Sequence, residues 1–180
     1  MRECVAGIQV KSFLNPRIGF FGGRVDANAL LYDRETDFEF DGLNYGDVNS
    51  LYPSVNMFDE YPVGHPEIIL SNFKSLSEYF GVVFCRVLPP QQLLRGVLPR
   101  RVKQKLLFPL CRTCSDLMQV EPCCHSIEER AFTGVWVSEE LKLAVSKGYE
   151  ILDIFCVHHF RERSTSLFAD YIRLCYRIKV

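Results

Sequence analysis

Hydrophobic and polar residues alternate along several segments of this 180-residue chain, and a period of two is typical of β-strands. The pattern predicts strands at 79–88, 105–110, 132–137 and 149–157. Pro89 and Pro90 follow the first of them, and proline ends a strand because it has no N–H to donate. A chain of this length can bury one good core, so we expect one domain, with room for an appended subdomain.

Helical signals lie between and after these strands. Ser138 is a favourable N-cap residue, Leu141 and Val145 are expected to face inward, and Gly148 is expected to end the helix. A short helix is expected at 54–58. A last helix, capped by Thr165 or Ser166, would have one apolar face, made of Phe168, Ile172, Cys175 and Ile178.

The segment before residue 54 predicts an antiparallel hairpin, with strands at 24–32 and 38–45 joined by a polar turn. The second strand would deliver the carboxylate of Asp47 to its carboxyl end. Leu51 and Tyr52 would then be buried, and a turn would follow at Pro53. A carboxylate in this position is suited to a hard cation such as Mg²⁺, although many strand-end aspartates are only solvated or cap a turn.

Composition narrows the class of protein. Hydrophobic residues make up 48% of the chain and the formal net charge is −1, so we expect a packed globular protein whose DNA contacts come from local clusters. No apolar run reaches the roughly 18 residues of a membrane span, and no signal peptide is recognisable at the start. Eight cysteines without a secretion signal favour a reducing compartment, so we expect the nucleus or cytoplasm of a host cell.

Two local clusters of residues are candidates for binding phosphate or a metal ion. Residues 95–105 contain five basic side chains and no acidic one, which indicates either a solvated face or a phosphate-binding surface. The following Cys-x-x-Cys pair and the returning Cys-Cys-His run have spacings that suit a structural zinc site, with unliganded cysteines as the main alternative and a redox pair as a weaker one. The candidate zinc ligands are Cys111, Cys114, Cys123, Cys124 and His125. A second Cys/His group, Cys156 with His158 and His159, is interpreted as structural.

One segment resembles a known family. Asp47-Val48-Asn49-Ser50-Leu51-Tyr52-Pro53-Ser54 is similar to motif A of family B DNA polymerases, D-x-x-S-L-Y-P-S. Upstream, Phe20-Phe21-Gly22-Gly23-Arg24 resembles their Y-x-G-G element, with Phe20 in place of the leading tyrosine. Further segments resemble the protein-primed branch, which includes phage, adenoviral, linear-plasmid and Polinton/Maverick mobile-element polymerases: 61–66, the Cys111/Cys114 pair, 128–130, 134–136 and 167–172.

The resemblance implies an α+β fold with an antiparallel palm-type sheet and a strand-rich inserted subdomain. Residues 1–19 would link to an exonuclease domain, and 20–66 would carry part of the palm. Residues 67–157 would form an insertion like the terminal-protein region, with the Cys/His cluster in it. Residues 158–180 would return to the palm and begin a fingers helix.

The resemblance also implies roles for individual residues. Asp47 would be one of two palm carboxylates that hold two Mg²⁺ ions, with the Val48 carbonyl as a further ligand. Backbone N–H groups around Ser50, Leu51 and Tyr52 would hold the triphosphate, and the Tyr52 ring would exclude a ribose 2′-hydroxyl. The expected partners are deoxynucleotide, primer–template DNA and a terminal priming protein, and the residues expected to contact DNA are Phe20, Gly22, Gly23, Arg24, Arg100, Arg101 and Lys103.

The sequence lacks other polymerase motifs. There is no exonuclease carboxylate motif before Phe20, and neither an N-S-x-Y-G fingers motif nor a D-T-D second palm motif follows Asp47. We therefore expect a fragment that has no polymerase activity alone. The alternative is a non-catalytic, zinc-stabilised domain that binds nucleic acid or protein and is retained from a mobile element.

Overall fold

The structure is a computed structural model, and it describes residues 14–25, 27, 31–33, 35 and 44–179. These residues form two compact units, unit 1 from Met1–Phe21 and Pro62–Arg163, and unit 2 from Gly22–Tyr61 and Ser164–Val180. Helices and antiparallel strands are both present, so the fold class is α+β, as expected. The division of the chain into palm, insertion and linker stays a prediction.

The elements follow one another in chain order. The strands are β1 Tyr61–Val63, β2 Glu67–Ile69, β3 Gly81–Leu88, β4 Arg100–Val102, β5 Lys105–Leu107, β6 Phe132–Val137, β7 Glu150–His159 and β8 Glu162–Ser164. The helices are α1 Leu51–Phe58, α2 Arg112–Leu117, α3 Ile127–Arg130, α4 Ser138–Ser146 and α5 Ala169–Lys179. Short 3-10 turns lie at Pro16–Gly19 and Leu76–Glu78. None of the helices in the described ranges is long and apolar enough to cross a membrane.

Unit 1 is built on a four-stranded antiparallel sheet with the strand order β2-β7-β3-β6. Strand β3 lies in the middle, where Val83 is opposite Trp136 on one side and Val157 on the other. All three side chains are almost fully buried, together with Phe132 from β6 and Leu141 from α4. The alternating pattern of the sequence thus predicted the sheet that carries the core.

A second apolar cluster in unit 1 contains Leu14, Val82, Val135 and Cys156. The 3-10 turn Pro16–Gly19 packs against β6 here. A Cβ atom on Gly19 would lie 2.9 Å from Cγ1 of Val135, so this close approach requires a glycine. Part of the segment predicted as a linker is therefore packed onto the sheet.

The helix after β6 was predicted at the right place, but two of its side chains were misassigned. Ser138 is the first helical residue, not the N-cap, and its buried hydroxyl accepts a hydrogen bond from the Gly81 N–H at 3.0 Å. Val145 is exposed, and Ala144 takes the buried position beside Leu141. Gly148 has a φ of 91° and ends the helix as predicted.

Within unit 2, α1 and α5 pack together, and the Tyr61 and Phe168 rings meet edge to face. The prediction for α5 was partly wrong. The helix begins at Ala169, not at a Thr165 or Ser166 cap, and Cys175 and Ile178 are exposed, whereas Ala169 is buried.

The predicted hairpin at 24–45 lies largely outside the described residues. The described residue pair 44–45, like Gly46, Asp47 and Val48, is irregular, so no strand delivers Asp47 directly. Leu51 and Tyr52 were expected to be buried, but they occupy the exposed first turn of α1. Proline is accepted in the first helical turn, which is why Pro53 lies inside α1 and does not precede it.

Candidate functional site

Asp47 lies four residues before α1, in an exposed irregular segment of unit 2. Ser50, the residue before the helix, has a left-handed backbone with φ 58° and ψ 31°. The Leu51 N–H donates to the Val48 carbonyl at 3.3 Å, and the Ser54 N–H donates to the Ser50 carbonyl at 2.9 Å. These two bonds fold the chain back so that Asp47 lies beside the start of the helix.

This turn encloses an open cavity of about 470 Å³. Its lining contains every residue predicted to bind metal or nucleotide in this segment, namely Asp47, Val48, Ser50, Leu51 and Tyr52. The Tyr52 side chain is 81% exposed, so its ring is accessible to a ligand. A carboxylate and a carbonyl supply oxygen ligands for a hard cation. The N–H groups of a first helical turn can donate hydrogen bonds to an anion.

The cysteine cluster lies in unit 1. Cys111, Cys114, Cys123 and His125 each offer one ligand atom, and these atoms lie within 4.8 Å of one another. The three sulfur atoms are 3.5, 3.2 and 3.5 Å from Nδ1 of His125, in that order of residues. Tetrahedral zinc with Zn–S near 2.3 Å and Zn–N near 2.0 Å places sulfur and nitrogen about 3.5 Å apart. The donor set therefore fits a closed tetrahedral site.

The structure distinguishes the adjacent cysteines of the returning segment. Cys123 contributes its sulfur to the cluster, whereas Cys124 is exposed and outside it. The Cys156, His158 and His159 group does not converge as a metal site among the described residues. His159 instead accepts a hydrogen bond from the Phe80 N–H at 3.1 Å, and burial lowers the pKa of His158.

The electrostatics of the cluster favour a bound cation. Burial, followed by hydrogen bonds with Cys123 and Cys111, raises the pKa of Cys114 to about 12. Burial also acts to raise the pKa of Cys123, but hydrogen bonds with His125, Cys114 and Cys111 together outweigh it and lower that pKa to about 7. Neighbouring thiolates repel one another, and a positive charge between them offsets that repulsion.

The basic segment forms a hairpin in which β4 pairs with β5. The Arg100 side chain points toward helix α2, where its guanidinium donates hydrogen bonds to both carboxylate oxygens of Asp116 at 2.6 and 3.3 Å. Arg101 donates to the Phe20 carbonyl at 3.1 Å, and its guanidinium carbon lies 4.7 Å from the centre of the Phe21 ring. Lys103 is exposed in the two-residue turn, with φ 47°.

Comparison with known proteins now decides the family. Residues 14–180 match the family model of DNA polymerase type B, organellar and viral. The chain belongs to this family. A curated relative, a probable DNA polymerase from Podospora anserina, is 33% identical over 139 residues. That alignment covers 76% of this chain and 10% of the relative, so the chain spans a small part of the relative's length.

A solved structure, Phi29 DNA polymerase in an orthorhombic crystal form, is 17% identical with a TM-score of 0.46. The likeness covers 74% of this chain and 22% of that one.

The polymerase-like residues are divided between the two units. Phe20 belongs to unit 1 with Arg100, Arg101 and Lys103, whereas Gly22, Gly23 and Arg24 belong to unit 2 with Asp47. A Cβ atom on Gly22 or Gly23 would meet no atom within 4 Å, so local packing does not explain these glycines. Sequence patterns missed the Asp116–Arg100 pair because its partners are 16 residues apart with no motif between them.

Proposed function

We propose that this chain is the part of a protein-primed type B DNA polymerase that supplies one catalytic-metal carboxylate and the nucleotide-binding turn. The observation that supports the proposal is the grouping of Asp47, Ser50 and Tyr52 around one cavity in a chain of this family. The reaction is addition of a deoxynucleotide to a primer 3′ end.

Asp47 is the proposed ligand for Mg²⁺. It is exposed, and it lines the cavity with Val48, whose carbonyl oxygen also accepts the Leu51 N–H. When bound, two Mg²⁺ ions activate the primer 3′-oxygen and neutralise the charge that develops on the leaving pyrophosphate. Asp47 would hold one of these ions at the edge of the cavity.

The first turn of α1 is the part that receives the nucleotide. The Leu51 and Ser54 N–H groups already donate to the Val48 and Ser50 carbonyls, and Pro53 has no N–H, so the turn offers a triphosphate the Tyr52 N–H and the positive end of the helix dipole. The exposed Tyr52 ring lies on the same turn, and its proposed role is to stack below the sugar. A ring in that position leaves no space for a 2′-hydroxyl, so the chain selects deoxynucleotides by steric exclusion.

Saturation-transfer NMR with dATP and ATP in Mg²⁺ tests this proposal. We expect a stronger signal for dATP than for ATP. Asp47→Asn should weaken both signals, and Tyr52→Ala should make the two nucleotides equal. The matched control is Asp59→Asn, which changes an exposed carboxylate at the other end of α1 and should leave both signals unchanged. No dATP signal from the wild-type chain would contradict the proposal.

We propose further that the 180 residues do not extend a primer by themselves. Two divalent cations need more than one carboxylate, and the sequence contains no D-T-D motif after Asp47. Primer extension by the purified chain, together with a silent Asp47→Ala control, would overturn this part of the proposal.

The proposed partners are primer–template DNA and a terminal priming protein. The proposed DNA contacts are the exposed Arg101, which lies beside Phe20 and Phe21, and the exposed Lys103 on the same hairpin. We place the protein in the nucleus or cytoplasm, since its described cysteines are free thiols.

We also propose that Cys111, Cys114, Cys123 and His125 hold a structural zinc ion. Thiolate and imidazole are zinc ligands, and four protein ligands leave no open position for catalysis. The same cluster is the observation that favours the second candidate function, a non-catalytic zinc-stabilised nucleic-acid or protein-binding module. That alternative predicts no dATP signal and no effect of Asp47→Asn, so the NMR experiment separates the two.

A further inference from the structure

We propose that the Cys/His centre is a clamp that sets the position of the Arg101 side chain against Phe20 and Phe21. The connection runs through helix α2 and the Asp116–Arg100 ion pair. The inference rests on the zinc site proposed above and gives that site a role in nucleic-acid binding.

Helix α2 connects the metal ligands to the hairpin. It begins directly after Cys111 and carries both Cys114 and Asp116. Asp116 takes two hydrogen bonds from Arg100, and the hydroxyl of the buried Ser115 accepts a third at 3.0 Å. The Arg100 side chain is 22% exposed, so this two-point pairing is partly shielded from water and fixes strand β4 relative to α2.

The next residue on β4 faces the other way. Because side chains alternate along a strand, Arg100 turns to α2 while Arg101 turns to the Phe20–Phe21 segment. The Arg101 guanidinium lies within cation–π range of the Phe21 ring and also donates to the Phe20 carbonyl. Phe21 in turn packs against the main core of unit 1. The position of the Arg100 side chain therefore influences where the Arg101 side chain lies.

The segment that holds α2 has almost no core of its own. Within 111–125, all of which is described, only Cys111 and Ser115 are buried, and Val120 is 94% exposed. Outside the Cys/His centre, Thr113 donates to the Glu129 carbonyl at 2.9 Å. A segment with so little apolar burial needs a covalent or metal link to keep one structure.

The start of β4 has a separate anchor. The Trp136 indole N–H donates to the Pro99 carbonyl at 2.9 Å within the buried core. Removal of zinc should therefore release α2 and Arg100 while the base of the hairpin stays attached. This separates the clamp from a general loss of folding.

NMR of the Arg101 side chain in the full 180-residue chain tests the clamp. With zinc bound, the ring current of Phe21 should shift the Arg101 δ and ε proton signals upfield. A Phe21→Leu variant defines the signal positions without the ring. Removal of zinc should move the wild-type signals toward those positions. Arg100→Lys, with zinc still bound, should move them the same way, because lysine keeps the charge but not the two-point pairing.

Two controls keep the result interpretable. Arg86→Lys changes an ion-paired arginine of similar exposure on β3 and should leave the Arg101 signals unchanged. The indole N–H signal of Trp136, the single tryptophan, should persist in every state. If zinc removal abolishes that signal, the Arg100→Lys variant decides the question alone.

Affinity for a fluorescent oligothymidylate gives the second measurement. Zinc removal and Arg100→Lys should each weaken binding roughly tenfold, which corresponds to about 1.4 kcal/mol. Both changes together should weaken it no further, because they act on one connection. Unchanged Arg101 signals after zinc removal, or Arg101 signals that Arg100→Lys does not move, would overturn the clamp. A chain that shows the signal changes but binds no oligonucleotide would refute the DNA contact and leave the clamp intact.

Discussion

The two candidate metal sites of this chain differ in where their ligands come from. The Cys/His centre takes all four ligands from a span of 15 residues, Cys111 to His125, within one compact unit. The Asp47 turn supplies one carboxylate and a set of backbone groups around an open cavity. A structural site can be completed by a short piece of chain, whereas a catalytic site for two cations draws ligands from distant segments. On the proposed function, the chain therefore holds one complete set of metal ligands and one carboxylate of a site that it shares with other segments.

The largest expected effect concerns the complete site. Cys114→Ser should reduce bound zinc from about one ion per chain to nearly none, because it removes one of four ligands from a centre with little core around it. Elemental analysis of the purified protein measures this directly. Hydrogen exchange should quicken over 111–130 while the amides of β3 and β6 stay protected.

The adjacent cysteine provides the control for that change. Cys124→Ser should leave the zinc content as in the wild type, since the Cys124 sulfur lies outside the cluster. Equal loss of zinc in both variants would show that the two cysteines exchange roles and that the ligand set is wrong.

The next effect compares a buried with an exposed leucine on the same helix of unit 1. Leu141→Ala should cost about 2–5 kcal/mol of unfolding free energy, because the side chain is fully buried in the main core. Leu143→Ala should cost about 0.5 kcal/mol or less, since that side chain is half exposed. Urea titration of both variants measures the difference, and similar midpoints would contradict the core described for α4.

The smallest effect is a pH-dependent gain in stability at Glu140. Burial raises the pKa of this carboxyl, and the hydrogen bond from the Val137 N–H offsets only part of the shift. A raised folded-state pKa means that stability is lost as pH rises through it, so the ionised Glu140 destabilises the protein at neutral pH.

Glu140→Gln should therefore stabilise the protein by about 1 kcal/mol or less at pH 7. The gain should vanish below about pH 4, where glutamate is protonated in both states. Thermal unfolding across this range measures it. Glu139→Gln, which changes an exposed neighbour paired with Lys142 at 2.8 Å, should show no such gain.

The central strands were predictable from the sequence because their signals are local. The alternation of apolar side chains and the paired prolines after Leu88 were enough for β3, and β6 and β7 followed from the same pattern. Positions that depend on distant neighbours were missed. The Ser138 hydroxyl accepts a hydrogen bond from the Gly81 N–H, 57 residues away, so its local resemblance to an N-cap was misleading.

The candidate sites show the same limit. Motif spacing identified the cysteine cluster, but the choice between Cys123 and Cys124 depends on the direction of the returning backbone, which spacing does not encode. The start of α1 was missed because Ser50 makes no side-chain cap and Pro53 suggested a turn. Only the folded chain shows that Leu51 and Tyr52 lie in an exposed helical turn beside Asp47.

The most direct test of the shared site is paramagnetic broadening by Mn²⁺ in the presence of dATP, measured on the backbone amides of the 180-residue chain. We expect selective broadening at residues 47–52 in the wild type and its loss in Asp47→Asn, with Asp59→Asn behaving as the wild type. Broadening spread equally over the exposed carboxylates, or unchanged by Asp47→Asn, would contradict the assignment of Asp47 as a catalytic-metal ligand.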